Sequence, residues 1–426
     1  MRDTEACLEK RYIIYHKKPS GSRTPPWGGS PTGHGRRGLT RSARDYLEGA
    51  GLDRGGSAAA TGPGRRPARS ASGGGALWRS ARQREAVCAG SRAVALEARD
   101  QVTRRVLFTG LVALLCIGCQ EPLRLPYIAP VLHDWPEPYK GTKGLRVHVF
   151  TAGSLEVPRS FVTSRGGWFE RRKLDVLAFL IEHPTEKLIL FNTGLSPQIG
   201  RDAAGNLGAV ATALGRPRLR EGQDLRSQMT EAGFAEEGVA RIVVSDLRFY
   251  HTGGLERFPS AEVVVSQKEY DAARKGGAFL LHRKADYDHV RRWRFVTYPA
   301  HSPLATFPSH LDLLGDGSLV LIDAPGATAG TQALLARLPS RPVLLCGSLA
   351  PTEANIRYAA VPLLLFEREL WWENLWRLKK LMDLVPGLLA TPDHEVALPQ
   401  GKESEDFVVH AFKEQDGEPG SGEPQP

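Results

Sequence analysis

The chain has 426 residues, of which 41% are hydrophobic and 24% are charged, ordinary values for a soluble globular protein. The formal net charge of +9 suggests nucleic acid or anionic lipid as a partner, but the first hundred residues hold 19 Lys and Arg against 9 Asp and Glu. The remaining residues are close to neutral, with 37 against 38, so we exclude nucleic acid as a partner of the body of the protein.

Residues 1–101 are rich in Gly, Pro, Ser and Arg, as in "GPGRRPARSASGGG", and they show no sustained hydrophobic period. Such a segment buries too little apolar surface to offset the entropy of ordering it, so we expect disorder. A basic arm that binds nucleic acid is an alternative. We favour a third hypothesis, a mis-assigned upstream extension, because bacterial translation can begin at a valine codon such as that of Val102.

Residues 102–119 have the pattern of an export signal. Two arginines precede an apolar run, Val106 to Gly118, of 13 residues, which is too short to span a bilayer but typical of a signal-peptide core. The run ends in "CIGC", which resembles the lipobox of bacterial lipoproteins and makes Cys119 the candidate lipidation site. A buried core strand or helix at 106–118 is the alternative interpretation.

These features predict an exported bacterial protein of the cell envelope, held to the membrane by a lipid anchor on its periplasmic or outer-surface side. After processing, Cys346 would be the one cysteine left in the globular part, so no disulfide framework is possible in a mature monomer. Cys346 lies in the strand-like "RPVLLCG" and is interpreted as a small buried hydrophobic residue.

The globular part is expected at residues 145–400, between a Pro-rich tether at 120–144 and a disordered tail at 401–426. It begins with the predicted strands "LRVHVFTAG", "LDVLAFLIEHP" and "KLILFNTG", the last two joined by a hairpin turn at "HPTE". An amphipathic helix "LRSQMTEAGF", the strands "VARIVVSD" and "AEVVVS", and the helix "QKEYDAARK" follow.

The second half of this region continues the mixture of strands and helices. "LDLLGDGSLVLIDAPG" predicts a hairpin around Asp316 and Gly317, and "TQALLARLP" and "RPVLLCGS" predict two more strands. "ERELWWENLWRLKKLMDLVP" is a strong helix, and "GLLATPDHE" is a final strand and turn.

The order of these segments resembles the metallo-β-lactamase superfamily, and within it the N-acyl-homoserine-lactonase-like branch. The landmarks are "FNTGL", "YHTGGLERFPSAEVVVSQKEY", "DLLGDGSLVLIDAPGATAGTQALLARLP" and "RPVLLCGSL". The resemblance implies an α/β (α+β) fold, the four-layer αββα sandwich, with the active site along one edge where loops meet.

The resemblance also implies a pair of zinc ions that activate water, but most of the ligand positions hold other residues. The family's His-x-His-x-Asp-His motif is Asp246-Leu247-Arg248-Phe249-Tyr250-His251 here. The later histidine and the bridging carboxylate are replaced by Ala327 and Ser348, and the last ligand matches Asp393, with His394 one position away. The carboxylate expected at Asn192 is also lost. We therefore expect no cofactor, and zinc only if a reduced site survives.

The candidate ligand pocket is formed by these positions: Asp246, Arg248, Tyr250, His251, Ala327, Ser348, Asp393 and His394. Arg248 is the decisive substitution, because a guanidinium can neither deprotonate nor ligate a metal. Pointing inward, Arg248 would occupy the emptied metal pocket and pair with Asp246 or Asp393. The remaining candidates for a single metal ion are Asp246, His251, Asp393 and His394.

The first functional hypothesis is a pseudoenzyme, a ligand-binding or interaction protein whose pocket holds a small acyl or lactone-like ligand. The alternative is a lactone or ester hydrolase with a reduced or metal-free site, in which Arg248 and Tyr250 are the candidate catalytic residues and act as oxyanion donors. A third class is an interaction subunit that uses the fold only as a surface.

Overall fold

The computed structural model describes residues 122–164, 166–208, 211–212, 215–276, 281–396 and 404–412. The expectations for residues 1–121, among them the export signal and Cys119, lie outside the described residues. Within these ranges, no helix is both long and apolar enough to cross a membrane.

Two sheets form the centre of the molecule. The first has the strand order β13-β1-β2-β3-β5-β6-β7, with β4 paired to β1. Its strands are β1 (Arg146–Pro158), β2 (Arg171–Glu182), β3 (Leu188–Phe191), β4 (Arg216–Arg218), β5 (Val239–Val243), β6 (Glu262–Ser266), β7 (Trp293–Val296) and β13 (Phe407–His410). The second sheet has the order β12-β11-β10-β9-β8. Its strands are β8 (His310–Asp312), β9 (Leu319–Asp323), β10 (Gln332–Arg337), β11 (Pro342–Leu345) and β12 (Leu389–Thr391).

Helices lie on the outer faces and in the connections between strands. In chain order, the described α-helices are α1 (Arg159–Val162), α2 (Pro197–Arg201), α3 (Ala203–Leu207), α4 (Leu225–Glu231), α5 (Phe249–Thr252), α6 (Gln267–Lys275), α7 (Glu353–Tyr358) and α8 (Arg368–Leu384). Helix α4 ends before Gly233, whose φ of +87° is a left-handed backbone conformation, as its sequence predicts.

Successive side chains of a strand point to opposite faces of its sheet, and this explains how the layers pack together. In β2, Phe179 and Ile181 face the apolar layer between the two sheets, whereas Leu180 faces the opposite side, where it packs with Leu225 and Met229 of α4. On the far side of the second sheet, residues of β9 to β11 pack against α8. These four layers confirm the αββα sandwich that the family resemblance implies.

The predicted turns also agree with the structure. β2 and β3 are antiparallel neighbours, joined at "HPTE". β8 and β9 are antiparallel neighbours across Asp316 and Gly317, where the Asp312 carboxylate accepts hydrogen bonds from the backbone amides of Leu314, Gly315 and Gly317. Cys346 is fully buried in the apolar layer beside α8, as expected.

Two segments outside the predicted core region belong to the domain. Phe407–His410, placed in a disordered tail from the sequence, forms β13 and pairs in parallel with Val147 to Phe150 of β1. The predicted tether lies against the second sheet and its helix: the Tyr139 hydroxyl donates to the Leu338 carbonyl at 2.7 Å, and the Trp372 indole donates to the Arg124 carbonyl at 2.9 Å.

The strand ends bring the candidate site together. Asp246 and Arg248 follow β5, Ala327 follows β9, Ser348 follows β11, and Asp393 follows β12. The loop after β9 is held close to α8 by Gly326, whose φ is +126° and where a Cβ atom would lie 2.3 Å from the backbone nitrogen of Trp371. This close approach leaves no room for a side chain.

We predict that Gly326→Ala destabilises the fold more than the matched substitution Gly315→Ala. Gly315 also has a left-handed backbone, with φ +85°, but nothing lies within 4 Å of its added Cβ. The control should therefore cost only the backbone penalty of about 1–2 kcal/mol. Gly326→Ala adds an overpacking cost of about 1–3 kcal/mol. Denaturant unfolding at constant m-value measures the free energy of unfolding of both variants. Equal losses in the two variants would contradict the close contact between Gly326 and the backbone of Trp371.

Candidate functional site: a buried ion cluster beneath an apolar pocket

His251 is held between two carboxylates. Its Nδ1 donates to Asp246 Oδ1 at 2.8 Å, and its Nε2 donates to the Asp393 carboxylate oxygens at 2.9 and 3.0 Å. The three side chains are at most 3% exposed. Because ionised carboxylates only accept hydrogen bonds, both ring nitrogens must carry a proton, and His251 is an imidazolium.

Electrostatics agrees with this protonation state. Burial alone would lower the pKa of His251, but Asp246 and Asp393 outweigh it and raise the pKa from 6.5 to about 10. Burial alone would raise the pKa of both carboxyl groups, but the imidazolium of His251, helped by Arg248 at Asp246, holds the pKa of both groups below its usual range. Two negative charges therefore surround one positive charge.

Arg248 supplies the second positive charge. It directly precedes α5, and its side chain points inward and is almost fully buried. Nη1 donates to the Tyr250 hydroxyl at 3.0 Å and to Ser348 Oγ at 3.1 Å, and Nη2 donates to the Ala327 carbonyl at 2.8 Å. Burial would lower the pKa of Arg248, but Tyr250 and Asp246 outweigh it, so the guanidinium stays charged and the four charged groups sum to zero.

The expectation that Arg248 pairs with Asp246 or Asp393 is wrong for the side chain. The imidazolium of His251 takes both carboxylates, and the backbone amide of Arg248, rather than its guanidinium, donates to Asp246 at 3.1 Å. The guanidinium instead bridges the loops after β5, β9 and β11. Its planar fork suits this role, since it presents several donors at fixed angles.

The other candidates complete the floor of the site. Burial raises the pKa of Tyr250 well above its usual range, so its hydroxyl keeps a proton to donate. Burial also lowers the pKa of His394, whose Nδ1 lies 2.8 Å from the Asp175 carbonyl, so His394 is neutral and serves to anchor its loop. Ser348 Oγ lies 3.5 Å from Asp393 Oδ2.

A pocket of about 500 Å³ opens above this floor. Its polar end is formed by Arg248, Tyr250, Ser348, Asp393 and His394, while Asp246 and His251 lie beneath it. Its walls are mostly apolar and include Leu155, Val157, Phe161, Leu174, Leu207 and Leu365. This size, and an apolar wall with a few polar groups at one end, are typical of small-molecule sites.

Two features of the site were not found from the sequence. Glu269, fully buried on α6, accepts from the amides of Leu247 and Gly330 at 3.0 and 3.1 Å and contacts His282 at 3.1 Å, so it joins the loops that carry Arg248 and Ala327. It lies on an otherwise polar helix, where no pattern distinguishes it from a solvated residue. The second feature is the apolar wall of the pocket, which was not found because its residues come from strands and helices far apart in the sequence.

The donor set does not fit a pair of zinc ions. Both nitrogens of His251 are bound to carboxylates, and the guanidinium of Arg248 lies among the loops where the family's ligands are expected. A cation beside the pocket repels a metal ion, and a protonated imidazole cannot ligate one. Among the described residues, no group of three or more His, Cys, Asp and Glu side chains is arranged to hold a metal. We therefore derive no chemical step through zinc.

We predict that His251→Ala lowers the free energy of unfolding by about 3–5 kcal/mol, because it leaves two buried carboxylates without their partner. The matched control is His289→Ala, at an exposed histidine. Because the folded-state pKa is raised from 6.5 to about 10, the stabilisation from His251 is complete below pH 6.5 and is lost as the pH rises through 10. Urea unfolding from pH 6 to 10.5 measures this. If the free energies of unfolding of wild type and His251→Ala differ by the same amount at every pH, the result would contradict the ion cluster.

Comparison with known proteins agrees with the fold. Residues 171–394, more than half of the chain, match the family model of the metallo-beta-lactamase superfamily. The N-acyl homoserine lactonase AttM of Azorhizobium caulinodans is 29% identical over 225 residues, which cover 51% of this chain and 81% of the relative. An N-acyl homoserine lactonase of a Bacillus species is 25% identical over 245 residues, covering 56% and 88%.

Solved structures show the same architecture. An N-acyl homoserine lactone hydrolase with the product N-hexanoyl-L-homoserine at its catalytic metal centre superposes with a TM-score of 0.51 at 20% identity, covering 58% of this chain and 92% of that chain. A B. thuringiensis AiiA variant with bound N-decanoyl-L-homoserine gives the same TM-score, identity and coverage. At this identity the likeness concerns the fold alone. From the matched family model and the four-layer fold, the chain belongs to the metallo-beta-lactamase superfamily.

Proposed function

We propose that the protein binds an N-acyl lactone, or a closely related acyl ester, in the pocket above the ion cluster. The observation that carries the proposal is the pocket itself, a cavity of about 500 Å³ with mostly apolar walls and the buried donors Arg248 and Tyr250 among its lining residues. An acyl chain fits the walls, and a carbonyl oxygen fits the donors. The curated relatives named above are N-acyl homoserine lactonases, which supports the same class of ligand.

The charge of the site favours a neutral head group. The charges of Arg248 and His251 are balanced by those of Asp246 and Asp393, so the site needs no further counter-ion, and the Asp393 carboxylate lines the same end of the cavity. After its three hydrogen bonds, the guanidinium keeps one Nη2–H and the Nε–H, and Nε has no hydrogen-bond partner among the residues that the structure describes. A carbonyl oxygen can accept from such a donor without adding a buried charge.

We predict that affinity rises with acyl chain length by about 0.8 kcal/mol per methylene, or roughly fourfold in Kd, until the cavity is full. Arg248→Met keeps the side-chain length but removes the donors, so it should weaken every chain length by a similar factor of about ten or more. Arg274→Met, at an exposed residue of α6, is the matched control. Calorimetric titration with hexanoyl, octanoyl and decanoyl homoserine lactones measures both effects.

Binding that does not change with chain length would contradict the acyl orientation. Binding that Arg248→Met leaves unaltered would contradict the assigned contact with the head group. Unfolding measurements on Arg248→Met show whether a loss of binding is a loss of fold, because the substitution also removes three buried hydrogen bonds.

We propose hydrolysis of the bound ligand as a second function, because the two lactonase relatives named above support it better than the non-catalytic role first expected from the sequence. Arg248 and Tyr250 would donate to the carbonyl oxygen as negative charge develops on it. Water would add to the lactone carbonyl carbon, the ring bond between that carbon and oxygen would break, and Asp393 would pass a proton from the water to the leaving alkoxide. The lowered pKa of Asp393 makes it a weak base, so we expect slow turnover.

We predict that any lactone hydrolysis is insensitive to a metal chelator and is lost in Arg248→Met. After incubation with excess Zn²⁺ and desalting, the full chain should retain less than about a tenth of an equivalent of zinc, because His251 is protonated and occupies both carboxylates, and Arg248 places a second positive charge beside them. The matched positive control restores the family's motif through Asp246→His, Arg248→His, Tyr250→Asp and Ala327→His, and it should retain zinc. Elemental analysis and a lactone ring-opening assay measure both.

Close to one equivalent of zinc in the wild type, lost in His251→Ala together with turnover, would contradict a metal-free site. Lactone binding without ring opening would leave the binding function and remove the hydrolytic one.

A further inference from the structure

Three aromatic side chains beside the pocket are partly or fully exposed to solvent. Phe169 is 100% exposed and Trp168 is 40% exposed, in the loop between α1 and β2. Phe366 is 52% exposed, in the segment before α8. Isolated exposed apolar residues are ordinary, but a cluster at the rim of a cavity marks a surface that meets another apolar phase.

Contacts place these residues around the pocket. Phe161, which lines the cavity, packs edge-on against Trp168 with ring centroids 6.1 Å apart. The amide of Ser164 donates to the Val361 carbonyl at 2.7 Å, which joins the α1–β2 loop to the segment that carries Leu364 and Leu365 of the cavity wall. Phe366 follows directly. We call Trp168, Phe169 and Phe366 the apolar rim.

The beginning of the described chain reaches the same side of the domain. Trp372, near the start of α8 and six residues after Phe366, donates from its indole to the Arg124 carbonyl at 2.9 Å. The next residues, Leu125 and Tyr127, are 71% and 87% exposed. The apolar run of 13 residues ends at Gly118, seven residues before Leu125, and an extended chain of that length spans at most about 25 Å.

We propose that the apolar rim, with Leu125 and Tyr127, docks on the surface of a lipid bilayer, so that the pocket opens towards the membrane. The occupant is a lipid surface rather than a second copy, because the chain immediately upstream carries an apolar segment of the kind that enters a bilayer. Each exposed aromatic side chain can bury its ring among lipid headgroups and acyl chains. The inference goes beyond the proposed function and does not depend on it.

The docking surface gives the pocket a direct source of amphiphiles. A molecule with an acyl chain partitions into a bilayer, and a cavity whose mouth lies at the lipid surface can take that chain without exposing it to water. The orientation also explains why apolar side chains are tolerated around an open cavity.

Hydrogen exchange of the full chain, with and without vesicles of phosphatidylcholine and phosphatidylglycerol, tests the docking surface. Peptides that cover residues 166–172 and 364–368 should exchange about tenfold or more slowly with vesicles, since burial of one Phe side chain stabilises by roughly 1.5–3 kcal/mol. The double variant Phe169→Ser and Phe366→Ser should lose this protection even where the upstream segment keeps the chain on the vesicles. The control is Phe295→Ser, at a 41% exposed residue of β7 away from the rim.

Exchange at the rim that vesicles do not change would overturn the proposal. Protection that appears without vesicles and grows with protein concentration would also overturn it, in favour of a second copy on this surface. The melting temperature of the double variant, expected to equal that of the wild type, shows that a loss of protection is not a loss of fold. Lactone binding in solution is independent of all these outcomes.

Discussion

The site depends on one imidazolium held between two carboxylates. His251 joins Asp246, at the end of β5, to Asp393, at the end of β12, and these strands belong to different sheets. The ion cluster therefore closes the edge of the sandwich where the loops meet. Removal of the imidazolium would leave two like charges in a region from which water is largely excluded, a larger cost than loss of one hydrogen bond. Arg248 then completes a neutral set by linking three loops through Tyr250, Ser348 and the Ala327 carbonyl.

Local patterns predicted most of the fold. The strand "LDVLAFLIEHP", the Asp-Gly turn before β9 and the helix at α8 were each predicted from neighbours along the chain, and each agrees with the structure. β13 was not predicted, because it depends on a contact with residues far away along the chain. Its four residues, Phe407–His410, gain their stability by parallel pairing with β1, more than 250 residues earlier, and so short an apolar segment does not by itself predict a strand.

The sequence predicted where the site lies better than it predicted the interactions within the site. The order of motifs brings Asp246, Arg248, Ala327, Ser348 and Asp393 to one edge, but it does not say which cation meets which anion. That choice depends on side-chain geometry: His251 on α5 reaches both carboxylates, whereas the guanidinium of Arg248 meets neutral acceptors. Glu269 could not be identified at all, because its partners are backbone amides of distant loops, and any sequence supplies those.

A fold that gathers carboxylates at one edge needs positive charge there, and this chain supplies that charge covalently. Two zinc ions would have to be captured from solution, and their sites would be emptied by protonation of the ligands. Arg248 and His251 are always present, and the pKa of His251, at about 10, keeps the cluster intact across the physiological range. The presence of Arg248 and His251 in place of zinc has a chemical consequence. Guanidinium and imidazolium groups can stabilise an anion that develops on a bound carbonyl, but neither can ionise a water molecule as zinc does. In the function we propose, these two cations would therefore recognise an acyl carbonyl compound, while its hydrolysis would depend on one weakly basic carboxylate, Asp393.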